Sequence, residues 1–112
     1  GLFQQRNEEC RMKYLVTGLP GSNPIPQEQG PGLLGAGMAW IKAKIADGSI
    51  DCHYSLFGGG GIAIVNAASH EQVLTEILTY PLYPFFTREI TPLLDFEDAY
   101  EEYIRFYERL AG

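Results

Sequence analysis

The order of its segments constrains this chain more than any single motif. Two helix-length stretches each stand between short β-prone runs, giving strand, helix, strand, strand, helix, strand, with one more helix at the end. Lys13 to Thr17 is rich in Tyr, Leu and Val and stops at the breakers Gly18-Leu19-Pro20-Gly21, which predicts a short first strand. Gly18 to Gly32 is crowded with Pro and Gly and reads as a long irregular loop. Leu33 to Asp47 is the first helix. Leu34, Met38, Ile41 and Ile45 recur at helical spacing, and Gly48 stands where a helix ends.

Ile50 to Phe57 reads as the second strand, with Asp51, His53 and Ser55 on one side and Cys52, Tyr54 and Leu56 on the other. Gly58 to Gly61 is the turn into a third strand, Ile62 to Asn66. Its near-continuous apolar run predicts cover on both faces. Ser69-His70-Glu71-Gln72 is a capping box that opens a second helix, which Thr79-Tyr80-Pro81 ends near Leu78. Thr87 to Leu93 is the fourth strand. Asp95 or its neighbour caps a third helix, from about Phe96 to Leu110, whose apolar side holds Ala99, Tyr103, Phe106, Tyr107 and Leu110. Glu101 and Arg105 form an i,i+4 pair on it.

This order is the split βαβ arrangement, an α+β ferredoxin-like sheet with two helices on one face. The other face has no element of its own left to cover it. A second copy is the expected cover, as a homodimer or larger ring. At 112 residues the chain fits one domain, taken as 12–112. Residues 1–11 differ in character and are set aside as a leader, because Met12-Lys13-Tyr14 reads as a natural start.

The net charge of −6 argues against a nucleic-acid partner, since phosphate contacts need a basic patch. No apolar run is long enough to span a membrane, so no membrane partner is expected. Cys10 and Cys52 lack metal or disulfide-framework spacing and read as free thiols in a reducing, cytoplasmic setting.

Gly30-Pro31-Gly32-Leu33-Leu34-Gly35 matches G-x-G-x-x-G, but a Pro-rich loop precedes it and Pro31 removes a donor amide. It is set aside as a nucleotide site. His53 is the side chain best suited to proton shuttling near neutral pH. Asp51 is its candidate orienter, and these two are the candidate catalytic residues. Trp40, Tyr54, Tyr83 and Phe85, with Phe86, are candidates for lining an apolar ligand cavity. His70 follows the cap and reads as surface.

Tyr80-Pro81-Leu82-Tyr83-Pro84-Phe85-Phe86, followed by Glu89-Ile90-Thr91-Pro92-Leu93, resembles a segment of the muconolactone isomerases. The resemblance runs from about Met12 to Leu94. It implies a ferredoxin-like subunit that pairs as a dimeric α+β barrel. It also implies cofactor-free isomerisation of a small unsaturated lactone or acid, with a base taking a proton beside a carbonyl and an acid returning one elsewhere. The ligand would be small and apolar or carboxylated, and no metal or organic cofactor is implied. The chain departs from that pattern on the first helix, where Ala36, Gly37, Met38 and Ala39 replace charged residues. It departs again at Tyr54-Ser55, where the family has a Trp-Arg pair, and in its third helix. A non-catalytic ligand-binding or assembly module therefore stands beside the isomerase.

Overall fold

The computed structural model describes residues 12–112, so the leader and Cys10 lie outside the described residues. Strands β1 (Met12–Pro20), β2 (Ile50–Ser55), β3 (Gly61–Ala67) and β4 (Phe86–Leu93) alternate with helices α1 (Gly30–Ala46), α2 (His70–Leu78) and α3 (Phe96–Ala111). The strands form one open sheet in the order β2-β3-β1-β4. Every neighbouring pair is antiparallel. This is an α+β architecture compatible with the ferredoxin-like fold.

β1 is longer than its sequence predicts. Gly18, Leu19 and Pro20 stay in the strand because Arg88, Thr87 and Phe86 of β4 pair with them. Tertiary pairing overrides the local breaker signal, and Pro20 sits at the strand end, where its missing N–H costs least. α1 also begins early. Pro31 falls in its first turn, where the fixed φ suits a helix and the absent donor is not needed. The G-x-G-x-x-G run is thus the opening of α1 itself.

Both α1 and α2 lie on the side of the sheet that carries Tyr14 and Val65. Under α2, Tyr14, Ala67, Val73 and Ile77 form a closed cluster, and Tyr14 is only 2% exposed. Under α1, Ile50, Ala63 and Val65 form a second cluster with Val16 and Trp40 against it. The α2 cap closes as its sequence predicts: Ser69 Oγ accepts from the Gln72 amide at 3.1 Å. The return bond differs by one residue, since Gln72 Oε1 accepts from the Ala68 amide at 2.6 Å.

β3 alternates instead of being covered on both faces. Ala63, Val65 and Ala67 are buried, whereas Ile62 and Ile64 are only partly so. Leu15, Ile62, Ile64, Cys52 and Tyr54 lie on the uncovered face. The third helix does not shield them. Asp95 caps α3 by accepting from the Glu97 and Asp98 amides, yet no residue of α3 is buried. The radius of gyration of 17.6 Å exceeds the ~13 Å of a compact chain of this length, as expected of a projecting helix. On α3, Arg105 pairs with Glu102 and not with the expected Glu101. Among the described residues, no helix is long and apolar enough to cross a membrane.

Candidate functional site

Beneath α1 the covered face of the sheet opens into a cleft of about 640 Å³. Strand register explains the opening. One row across the sheet reads Ser55, Gly61, Gly18, Arg88, and the adjacent row reads His53, Ala63, Val16, Ile90. Residues directly opposite each other share a face. The middle of the floor is therefore built from glycine, alanine and valine. His53 on β2 and Arg88 on β4 rise at its two sides. Three inter-strand spacings of about 4.8 Å across the sheet, with a two-residue offset along it, put their backbones roughly 16 Å apart.

The glycines before β3 fix one end of this floor. Gly60 has a φ of +88°, and a Cβ there would lie 2.0 Å from the Gly18 carbonyl oxygen. The turn presses onto β1 so closely that only glycine fits. A Cβ on Gly61 would come within 3.0 Å of His53 Cε1, so the imidazole rests against bare backbone. Gly59 and Gly60 make room for the chain's own first strand and Gly61 for His53, whereas Gly58 stands in open space.

α1 is pinned along one edge only. Gly37 is its single buried residue, and a Cβ there would meet Leu82 Cδ1 at 3.0 Å. This close approach accounts for a small, uncharged stretch where an acid or base might be sought. Next to it the Trp40 ring lies 5.1 Å from that of Tyr80, and its Nε1–H donates to Thr79 Oγ1 at 3.0 Å. Lys44 is ion-paired with Glu76 of α2. The predicted stripe of Leu34, Met38, Ile41 and Ile45 contributes no buried residue. Leu34, Met38 and Ile41 wall the cleft, and Met38 remains 58% exposed.

Besides Lys42, Ser55 and Tyr83, the polar side chains that line this apolar cleft include His53, Tyr80 and Arg88. Burial holds the His53 imidazole below its ordinary pKa of about 6.5, so it is neutral at pH 7 and able to accept a proton. Burial raises the Tyr80 phenol above its usual value, so its hydroxyl remains a donor. Arg88 is held rigidly: its Nη2 donates to the Tyr83 and Phe86 carbonyls, and its guanidinium stands 3.7 Å over the Tyr83 ring. A guanidinium carries five N–H donors in a planar fork suited to a carboxylate.

His53, Trp40 and Tyr83 come together in this cleft. Phe85 does not reach it; it lies in the turn Tyr83–Phe85, and the next residue, Phe86, lines the wall instead. Tyr54 lies on the uncovered face, 66% exposed. Asp51 is also on that face, which corrects its expected place beside His53. The register slips between Ile50 and Cys52, and this bulge turns Asp51 away. There its carboxylate bonds Lys13 Nζ and accepts from Asn66 Nδ2 at 2.6 Å. Among the described residues, no group of His, Cys, Asp and Glu side chains is placed to hold a metal ion.

No protein-family model matches this chain, and no curated protein matches it. The site therefore stands on its own geometry. Sequence reasoning missed Arg88 and Tyr80. Arg88 carried a readable signal, since it alternates in phase with Ile90 and Pro92 and so belongs to the helix-facing set of β4. His70, read as surface, also has a task. Its Nδ1 lies 2.6 Å from the hydroxyl of the buried Tyr14.

Proposed function

We propose that this protein binds a small, largely apolar carboxylic acid or lactone acid in the cleft under α1. There it catalyses a cofactor-free shift of a double bond, in the manner of the muconolactone isomerases. The observation that carries the reading is a neutral, desolvated imidazole facing a fixed guanidinium across a floor of small residues. In this reading Arg88 receives the ligand carboxylate, which orients the carbon next to the carbonyl toward His53. His53 takes a proton from that carbon and the electron pair moves into an enolate. Tyr80 is the candidate donor to the enolate oxygen, and the protonated His53 returns its proton at the far end of the conjugated system, which completes the shift and restores the neutral imidazole.

The subunits pair through their uncovered sheet faces as a dimeric α+β barrel. Leu15, Ile62 and Ile64 supply apolar surface for that contact, and no described element of the same chain covers them.

The test uses unsaturated five-membered lactone acids as probes. The expected result is turnover in the unaltered chain, loss of at least a hundredfold in kcat for His53→Ala with binding retained, and weakened binding for Arg88→Met. Undiminished turnover in His53→Ala removes the histidine from the mechanism. A specific observation favours a second reading, a non-catalytic binding module: α1 contributes only apolar side chains and Lys42 to the cleft. Tight binding of the probes with no turnover, and no exchange of their acidic protons in D₂O, selects it.

A further inference from the structure

The cleft under α1 is larger than the ligand that its polar groups alone would select. Even at the ~30 Å³ that a water molecule occupies in the liquid, the ten or so heavy atoms of a five-membered lactone acid fill about 300 Å³. The cleft holds about 640 Å³. On the same scale the remainder takes about ten further heavy atoms.

The α1 side of that space is apolar. Leu34, Met38 and Ile41 follow one another at spacings of four and three residues and so share one side of the helix. From Leu34 to Ile41 this wall runs about 10 Å along the axis, at ~1.5 Å per residue. Leu34 is 54% exposed and Met38 58%, although both line a cleft. Opposite the helix, the floor row between Ser55 and Arg88 consists of Gly61 and Gly18, which carry no side chain. Glycine in a strand lets a ligand lie directly on the backbone. Water stands against both surfaces when the cleft is open. An apolar chain that displaces it gains affinity with each carbon buried, whereas a polar body of the same size leaves its donors and acceptors unpaired against the helix wall.

We infer that the ligand is an acid bearing an apolar body of about six to ten carbons, laid between the glycine floor and the Leu34–Met38 wall. This rests on the reading of Arg88 as the seat of the carboxylate and extends it to the class of substrate: an alkyl- or aryl-substituted acid, larger than a bare lactone acid.

The test is binding of butanoic, hexanoic and octanoic acids to the full chain, followed by NMR titration. Affinity is expected to rise about threefold per methylene, a little under the fourfold of complete burial. In Leu34→Ser with Met38→Ser, helix content being checked, the advantage of octanoic over butanoic acid should shrink at least tenfold. A flat series in the unaltered chain overturns the inference. So does a gradient that survives in the double variant, since the acids would then bind elsewhere, the exposed aromatics of α3 included. 1-Octanol binding as tightly as octanoic acid overturns the acid. Octanedioic acid binding more tightly than octanoic acid overturns the apolar body, because the cleft would then read a second charge through Lys42. These probes contain no double bond to move, so the series is independent of turnover. A rising, Leu34- and Met38-dependent series with no turnover of lactone acids rejects the isomerase and keeps the ligand class; turnover of bare lactone acids with a flat series rejects the ligand class alone.

Discussion

The two halves of the helix-covered sheet face differ although the same strands build both. Under α2, the large Tyr14 ring fills the space between β1, Ala67, Val73 and Ile77, and the layer is closed. Two and four residues further along β1 stand Val16 and Gly18, opposite Ala63 and Gly61, and the layer opens into a cleft. The helices match this difference. α2 sends Val73 and Ile77 down to the sheet, whereas α1 touches its neighbours chiefly through Gly37 and Trp40. Side-chain volume along one strand thus separates a part of the molecule that supports the fold from a part free to receive a ligand.

Tyr14→Ala strikes the closed half and is expected to have the largest effect. Removing a fully buried aromatic should cost about 3–5 kcal/mol, read as a drop in the urea midpoint at unchanged slope. Gly60→Ala strikes the boundary between the halves. The positive φ and the 2.0 Å approach to the Gly18 carbonyl leave no room for a methyl group. A loss of about 2 kcal/mol or more is expected, with His53 displaced because the glycine turn sets its floor. Tyr14→Phe keeps the ring and removes the hydroxyl, with its bond to His70 and its weaker contact to Met12 Sδ at 3.6 Å, so about 1 kcal/mol should be lost. His70→Ala should lose a similar amount, and the double variant should lose less than the two combined. In the open half, Met38→Ala removes a side chain that is already largely solvated. Less than about 0.5 kcal/mol of stability is expected to change, while affinity for an apolar ligand falls. If Met38→Ala cost as much as Tyr14→Ala, the cleft would have to be closed in solution, and the contrast between the halves would disappear.

Much of this architecture was legible in the residues because local and tertiary preferences agree. The capping box at Ser69, the Asp95 cap and the stop at Gly48 set three helix boundaries within a residue or so. Where they disagree, the reading failed in identifiable ways. Gly18-Leu19-Pro20 looks like a strand end until β4 supplies partners. The alternation that put Asp51 with His53 assumes an unbroken pleat, and a bulge leaves no mark in a sequence as short as Ile50-Asp51-Cys52. His53 was identified from its chemistry, but its partner across the cleft was not. Arg88 is 35 residues away in the chain, and only the strand order β2-β3-β1-β4 brings the two to opposite sides of one floor. The apolar stripe of α1 was read correctly as a stripe, yet it walls a cleft without contributing a buried residue, because Gly37 fixes where the helix rests.

The smallest expected effect is also the most specific to the open half. His53 is partly buried and its folded-state pKa lies below the ordinary 6.5 of the unfolded chain. Above pH 6.5 the imidazole is neutral in both states and contributes no pH dependence. As pH falls below 6.5, the unfolded chain takes up a proton that the folded protein resists, so stability declines until the folded-state pKa is also passed. His53→Gln should therefore flatten the stability profile on the acid side of pH 6.5 and leave it unchanged above. An acid-side slope that survives in His53→Gln would mean that the imidazole is solvated in both states. The cleft would then lack the desolvated base that the proposed proton transfer requires.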